Sequence, residues 1–304
     1  MKVADAAGSH WVNRTPDAVR PYLQLSRLDR PVGYWLLALP GWIGLLLPCW
    51  LCRPGWQPVV SPLLWGALIL IGAIAMRGAG CTYNDIVDRE LDAQVERTRS
   101  RPLPSGRITL RQAWIWLFAQ LGIGFLAWLA LPLGAKLVAL GSLPLVAAYP
   151  FMKRITGFPQ VWLGLTFNWA VLVAYSIKAG GLNASVLLVY AGLAAWTVGY
   201  DTIYAMQDAE DDALAGIKST ALTFGSRVRL GVAASYALSV ALLIWGLQAS
   251  TDPRAAYAVL PFAAHLAWQV VALRENRALG LFKSNVWAVT ALALGLLGLA
   301  ALAP

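Results

Sequence analysis

The sequence predicts an all-α, polytopic membrane helical bundle, and three observations predict it. Apolar residues make up 59% of the 304-residue chain and charged residues only 13%, against roughly 45–50% and about 25% in a soluble domain. The apolar residues gather in nine stretches, each close to the ~20 residues that cross a bilayer core. The Lys and Arg residues collect in alternate connections between those stretches, as the positive-inside rule requires. Long unbroken apolar runs mean helices, because the strands of a membrane barrel alternate. The same composition excludes a disordered chain, and three cysteines in 304 residues exclude a disulfide scaffold.

Residues 1–33 are polar and are expected to form a cytoplasmic N-terminal segment with no cleavable signal peptide. Residues 34–304 are expected to form one transmembrane domain. Its spans are placed at 34–51, 63–83, 113–131, 134–151, 161–177, 185–206, 230–249, 254–273 and 285–303. The third and fourth are divided only at Leu131-Pro132-Leu133-Gly134. Cys49 and Cys52 have redox-motif spacing, but they lie at the end of the first span with no βαβ pattern around them, so a structural role is expected. His10 and His265 are too few and too far apart for a histidine metal site. The pairs Gly78/Gly80 and Gly122/Gly124 are expected to serve close helix packing.

The net charge of +9 follows this topology. Of the 24 Lys and Arg residues, nineteen fall in the N-terminal segment and in the loops after spans 2, 4, 6 and 8. Only Arg53, Lys136, Lys178 and Arg254 fall on the opposite side, and Arg77 lies inside span 2. This places the N-terminus in the cytoplasm and, with nine spans, the C-terminus outside. The basic balance is a membrane-topology signal and argues against nucleic acid as a partner.

Ten of the 15 acidic residues form two clusters. One is Asn84-Asp85-Ile86-Val87-Asp88-Arg89-Glu90-Leu91-Asp92, with Glu96 just beyond; the other runs from Asp201 through Asp208, Glu210 and Asp211 to Asp212. Each follows an even-numbered span, so parity alone puts both on the cytoplasmic face. At ~100° per helical residue, Asn84, Asp85, Asp88 and Asp92 share an arc of roughly 100°, and Asp201, Asp208 and Asp212 one of about 40°. Glu90 lies off the first arc.

Carboxylates this dense raise one another's pKa unless a cation is present. Oxygen ligands with no His or Cys nearby suit Mg²⁺, which takes a few carboxylates together with substrate phosphate oxygens. Two such clusters fit a diphosphate held through metal ions, and the chemistry they suggest is ionisation of an allylic diphosphate. Arg89, Lys153, Arg154 and Lys218 lie on the same face and are candidates to contact its oxygens. Arg77 is costly inside a span and is a further candidate. Arg154 is expected to contact an anion. Asp201 stands two turns before Asp208, deeper in the bundle, where it suits an acceptor substrate rather than the metal.

Asn84-Asp85-x-x-Asp88-x-x-x-Asp92, followed by Arg101-Pro102-Leu103-Pro104-Ser105-Gly106, resembles the first signature of the UbiA-type membrane prenyltransferases. Tyr200-Asp201-Thr202-Ile203-Tyr204-Ala205-Met206-Gln207-Asp208-Ala209-Glu210-Asp211-Asp212, followed by Gly216-Ile217-Lys218-Ser219-Thr220, resembles the second, in the wording of the 4-hydroxybenzoate polyprenyltransferase branch. Tyr149-Pro150-Phe151-Met152-Lys153-Arg154 is similar to another stretch of that branch. The resemblance runs from about Arg27 to the last span.

It implies a helical bundle with a cytoplasmic cap over a central cavity open sideways to lipid. It implies a Mg²⁺-dependent transfer of a polyprenyl group from polyprenyl diphosphate to the 3-position of 4-hydroxybenzoate, a step of ubiquinone synthesis, in a multi-pass protein of the cell inner membrane. Carried over residue by residue, it gives Asn84, Asp88, Asp92, Asp208 and Asp212 the binding of Mg²⁺ and diphosphate. Tyr83, Tyr149, Tyr175 and Tyr204 are placed near helix ends, where electron-rich rings favour an allylic cation. No protein partner is implied. Two alternatives stand beside this reading: a relative using another aromatic acceptor, and a transporter. A transporter calls for ionisable groups near mid-bilayer and often an internal repeat; the acids here collect at one face, and only Arg77 is clearly inside a span.

Overall fold

The computed structural model describes residues 10–47, 62–94, 98–214, 216–249 and 253–301. Among them there is no strand. The helices are α1 (Arg20–Leu25), α2 (Val32–Leu46), α3 (Pro62–Val87), α4 (Arg89–Gln94), α5 (Leu110–Leu129), α6 (Leu133–Leu140), α7 (Leu143–Ile155), α8 (Pro159–Ala179), α9 (Ala184–Ala205), α10 (Ala209–Leu214), α11 (Thr220–Phe224), α12 (Val228–Gln248), α13 (Val259–Ala272) and α14 (Ala278–Ala301).

Eight stretches of helix are long and apolar enough to cross a membrane, and the shorter apolar α2 precedes them. Each of the nine expected spans therefore meets a helix, but their limits shift for identifiable reasons. The third begins at Leu110 rather than 113 because Thr109 and Gln112 form a capping box: Gln112 N donates to Thr109 Oγ1 at 3.3 Å, and Thr109 N to Gln112 Oε1 at 2.9 Å. The fourth, Leu133–Ile155, is interrupted at Gly141 and Ser142, between α6 and α7. The ninth starts at Ala278 rather than 285, straight after a 3-10 turn at Glu275–Arg277. Large apolar side chains such as Leu126, Val271, Trp287 and Leu294 face outward, as a lipid-facing surface requires. Cys49 and Cys52 lie outside the described residues.

The chain divides into two compact units. The first comprises residues 1–35 and 70–130. Its core is Leu25, Ala79, Ile86, Leu103, Ile108, Ala113 and Leu117, with Tyr22, Tyr83 and Trp116 packed against it. A buried polar link ties its helices: Trp116 Nε1 donates to Ser26 Oγ at 2.8 Å, Gln120 Nε2 donates to the same oxygen, and Thr82 Oγ1 donates to Gln120 Oε1 at 3.1 Å. Gly78 makes this possible, because a Cβ there would lie 2.7 Å from Gln120 Nε2. Gly124 is likewise closed in, by Met76, but Gly80 and Gly122 face open space. Only one member of each expected glycine pair packs a helix closely.

The second unit comprises residues 36–69 and 131–304. Here α9 is central, packing on α8, α12 and α14. Trp196 is fully buried, donates Nε1 to Asn285 Oδ1 at 2.8 Å, and meets Tyr200 and Phe262 edge to face. Asn168 crosses from α8 to α9, donating Nδ2 to Leu193 O at 3.1 Å and Thr197 Oγ1 at 2.7 Å. Helix α8 ends at Gly180 in the left-handed conformation, φ +72°. Asn183 then caps α9 by accepting from Val186 N at 2.9 Å.

Candidate functional site

The first acidic motif sits where α3 passes into α4. The turn at Asp88 does not interrupt the ladder: Asp88 N donates to Asn84 O at 2.9 Å, and Asp92 N to Asp88 O at 2.8 Å. The arc expected from helical spacing therefore survives the junction, and burial follows it. Asp85, Asp88 and Asp92 are buried and Asn84 is half-buried, whereas the Glu90 side chain is 82% exposed. Arg89, also exposed, donates to Glu90 Oε1 at 3.2 Å.

The structure supplies cations of its own to these carboxylates. Arg27 Nη2 donates to Asp85 Oδ1 at 2.6 Å; Arg101 Nη1 reaches the same oxygen at 3.4 Å and Asp92 Oδ2 at 2.7 Å. Asp85 Oδ2 is buried with no hydrogen-bond partner among the described residues. Burial by itself would lower the Arg27 pKa, but the charge and hydrogen bond of Asp85, together with Cys81 and Asp29, outweigh it and hold the guanidinium above its ordinary value. Arg27 adopts φ +57°, the one positive φ outside glycine among the described residues; its Nη1 also donates to Gln24 O at 3.1 Å.

The loop carrying Arg101 is fixed separately. Thr98 Oγ1 donates to Asp92 O at 2.8 Å, Arg107 Nη1 to Gln24 Oε1 at 2.8 Å, and Arg107 Nη2 to Ser100 O at 2.6 Å. Sequence spacing identified neither Arg27 nor Arg101 as partners of the motif. Arg101 stood inside the signature stretch, the one signal available; Arg27 lies 58 residues from Asp85 and offered none. Arg77, within α3, lies beside Gly33, where a Cβ would come 2.8 Å from its Nε.

The second motif departs from one continuous helix. Helix α9 ends at Ala205, and the next residues tighten: Gln207 N donates to Tyr204 O and Asp208 N to Ala205 O, both at 3.2 Å. Asp208 therefore stands just beyond the helix that carries Asp201, joined to it by a tighter turn. Asp212 N donates to Asp208 O at 2.7 Å, which starts α10. Asp201, Asp208 and Asp212 are all half-buried, and Glu210 is exposed.

The structure brings the end of this motif next to the basic pair after α7. Ile217 N donates to Asp212 O at 2.8 Å, and Lys218 N to Lys153 O at 2.9 Å. Thr220 N donates to Gln160 Oε1 at 3.0 Å, which fastens the same segment to α8. Lys218 Nζ lies 3.2 Å from Ile155 O, at the C-terminus of α7, where a cation meets the helix dipole. Lys153 is half-buried and Arg154 exposed.

Of the expected aromatic groups, Tyr204 rests against Phe282 with centroids 4.6 Å apart, beside Asp201 in sequence. Tyr175 belongs elsewhere: its hydroxyl accepts from Asn183 Nδ2 at 2.8 Å, at the start of α9. Eighteen residues of chain, ~27 Å of helix, separate that point from Asp201, so Tyr175 is a packing residue at the far end. Among the described residues, no three His, Cys, Asp or Glu side chains come close enough together to hold a metal ion by themselves.

The model of the UbiA prenyltransferase family matches residues 37–289. An Aedes aegypti protein named 4-hydroxybenzoate polyprenyltransferase, mitochondrial, is 45% identical over 260 residues, which is 83% of this chain and 56% of that protein. The 4-hydroxybenzoate octaprenyltransferase of Azotobacter vinelandii is 38% identical over 292 residues, which is 94% of this chain and 96% of that one. The chain thus spans little more than half the length of the insect relative and nearly all of the bacterial one. Among solved structures, the apo form of a UbiA homolog from Aeropyrum pernix K1 superposes with a TM-score of 0.72 at 25% identity, over 88% of this chain and 98% of that chain. A UbiA homolog from Archaeoglobus fulgidus bound to GPP and Mg²⁺ superposes with a TM-score of 0.69 at 20% identity, over 91% and 99%.

Proposed function

The chain belongs to the UbiA prenyltransferase family, and from that premise we propose that it moves a polyprenyl group from polyprenyl diphosphate to the 3-position of 4-hydroxybenzoate, a step of ubiquinone biosynthesis. The observation that carries this reading is the Azotobacter relative, a 4-hydroxybenzoate octaprenyltransferase matched over nearly the whole of both chains. We place the protein in the cell inner membrane, with its N-terminus and acidic motifs cytoplasmic and its C-terminus periplasmic. The support is the charge count of nineteen against four.

The donor set suits Mg²⁺. It consists of oxygens only, and Mg²⁺ needs one or two carboxylates when phosphate and water complete its shell, so a ready-made group of three is not required. The ligands in this reading are Asn84, Asp85, Asp88 and Asp92 from the first motif and Asp208 and Asp212 from the second. The Arg27 and Arg101 pairs make Asp85 an anchor for the motif more than an open ligand. Bound there, Mg²⁺ supplies charge neutralisation to the departing diphosphate.

The chain's own residues do the remainder. Arg77, Arg89 and Lys218 are assigned to diphosphate oxygens, and Lys153 and Arg154 to an anionic group of either substrate. Lys218 Nζ serves the end of α7 in the structure. Asp201 orients the acceptor hydroxyl. Tyr204, backed by Phe282, offers an electron-rich ring to an allylic cation. The outward apolar faces leave the polyprenyl tail in lipid-like surroundings.

The test is incorporation of labelled 4-hydroxybenzoate into a lipid-soluble product by membranes carrying the protein, given a polyprenyl diphosphate and Mg²⁺. Product with another aromatic acid but none with 4-hydroxybenzoate would reassign the acceptor. No product with any acceptor would remove the reading.

A further inference from the structure

Arg101 serves two carboxylates with one nitrogen. Its Nη1 lies 2.7 Å from Asp92 Oδ2 and 3.4 Å from Asp85 Oδ1, and its Nε is buried with no hydrogen bond among the described residues. Asp85 has a second and closer cation in Arg27, at 2.6 Å, so it keeps a neutralising partner if Arg101 moves. The loop backbone does not depend on the guanidinium, being held by Thr98 on Asp92 O, by Ser105 N on Arg101 O at 3.0 Å, and by Ile108 N on Pro102 O at 3.2 Å. The Arg101 side chain is therefore a cation seated on a motif carboxylate, on a backbone that stays put when the side chain swings away.

We infer that Arg101 and the divalent cation compete for Asp92, so that Arg101 is a positioning residue which sets how tightly the first acidic motif takes its metal. This rests on the metal-dependent reading given above. A guanidinium and a divalent ion on one carboxylate repel each other strongly in a partly buried setting, so one must yield. Arg101 gives up a single bridging nitrogen when it yields. On departing it gives up its place on Asp92 Oδ2 to the metal, while Arg27 stays on Asp85. Held by Arg101, the motif is charge-compensated without metal, and divalent binding is weaker than four oxygen-bearing side chains on one arc would otherwise give.

The experiment is a titration of the purified, detergent-solubilised full chain with Mn²⁺, free Mn²⁺ being read by electron paramagnetic resonance in the absence of any prenyl diphosphate. Arg101→Gln removes the competing charge and is expected to bind Mn²⁺ about threefold more tightly or better. Arg101→Lys, whose ammonium reaches one carboxylate rather than bridging two, is expected to fall between that variant and the wild type. In an Asp92→Asn background the Arg101→Gln change is expected to have no effect on Mn²⁺ affinity. A structural role for Arg101 predicts the opposite sign, since a loosened motif binds metal less well. If Arg101→Gln does not fold, as judged by its metal-free unfolding curve, Arg101→Lys is read in the same way. Unchanged or weaker Mn²⁺ binding in the folded variant overturns the inference and leaves the metal site standing. Absence of Mn²⁺ binding by the wild type overturns the metal site itself, and the inference with it.

Discussion

Arg27 donates to Asp85 Oδ1 across 2.6 Å and 58 residues of sequence, joining the turn after α1 to the C-terminal end of α3. The Arg27 side chain is 10% exposed and that of Asp85 not at all. Removing one partner of so enclosed a pair leaves a buried charge, which costs about 3–5 kcal/mol in general. Arg101 remains within reach of Asp85, so the lower end applies. Arg27→Ala is expected to cost about 3 kcal/mol, and Arg27→Ala with Asp85→Asn distinctly less than the sum of the two single changes. Unfolding curves in detergent for the four proteins of this cycle measure it. Strict additivity would mean the pair contributes nothing.

Asp29 gives a pH-dependent counterpart. It is fully buried, with Arg30 Nε 3.6 Å from Oδ2 and no hydrogen bond to either oxygen among the described residues. Burial raises its pKa above the ordinary carboxylate value, and Arg30 and Arg27 offset this only in part. A raised acid binds more protons folded than unfolded, so stability falls as pH rises from the unfolded pKa to the folded one, and is level beyond. Asp29→Asn removes that loss. The variant is expected to gain in melting temperature over wild type near pH 7 and to lose the gain below about pH 4. A gain that is the same at both pH values would show that ionisation of Asp29 is not its cause.

On the proposed reading, Asp88 of the first motif and Asp208 of the second hold the metal, and Glu90 does not. Asp88→Ala and Asp208→Ala are each expected to lower prenyl transfer by about 100-fold or more. Glu90→Ala, with its exposed side chain paired only to neighbouring Arg89 among the bonds described, is expected to cost little. EDTA is expected to abolish the activity and added Mg²⁺ to restore it. Full turnover in metal-free buffer would remove the diphosphate–metal mechanism.

Topology makes a separate prediction. With nineteen basic residues on one side and four on the other, a reporter in the loop at Gly106 is expected to be cytoplasmic and one fused after Pro304 periplasmic. Both reporters on the same side would mean that the number of crossings is even.

What the sequence made legible was what depends on short-range periodicity. Hydropathy located a helix for each of the nine apolar stretches, though not the short helices between them, and the 3.6-residue period separated buried Asp85, Asp88 and Asp92 from exposed Glu90. Three features needed tertiary information. The cations that neutralise the first motif come from a turn 58 residues upstream and from a loop, and no local pattern encodes that pairing. The end of α9 at Ala205 and the 3-10 tightening at Gln207 and Asp208 interrupt what the spacing read as one helix. Tyr175 sits near a helix end, as expected, but at the wrong end, because composition cannot say which terminus a ring faces.

The final prediction concerns Asp201. It lies in the last full turn of α9, four residues before the helix ends and next to Tyr200 and Tyr204, both of which contact Phe282. Helix α9 ends at Ala205, so Asp208 stands beyond the helix that carries Asp201, past a tighter turn. That favours different tasks for them: Asp208 for the metal, Asp201 for the acceptor. A phenol attacks an allylic cation faster when its hydroxyl proton is drawn off, because the oxygen then pushes electron density to the ortho carbon. A half-buried carboxylate within hydrogen-bond reach of that hydroxyl does this as a general base. Asp201→Asn keeps the shape and removes the charge. It is expected to lower kcat by roughly 100-fold or more, with the KM for polyprenyl diphosphate and the Mg²⁺ requirement close to wild type. The loss should shrink as pH is raised toward the pKa of the phenol, since solvent then performs the deprotonation. A rise in the KM for diphosphate that extra Mg²⁺ reverses would instead place Asp201 among the metal ligands.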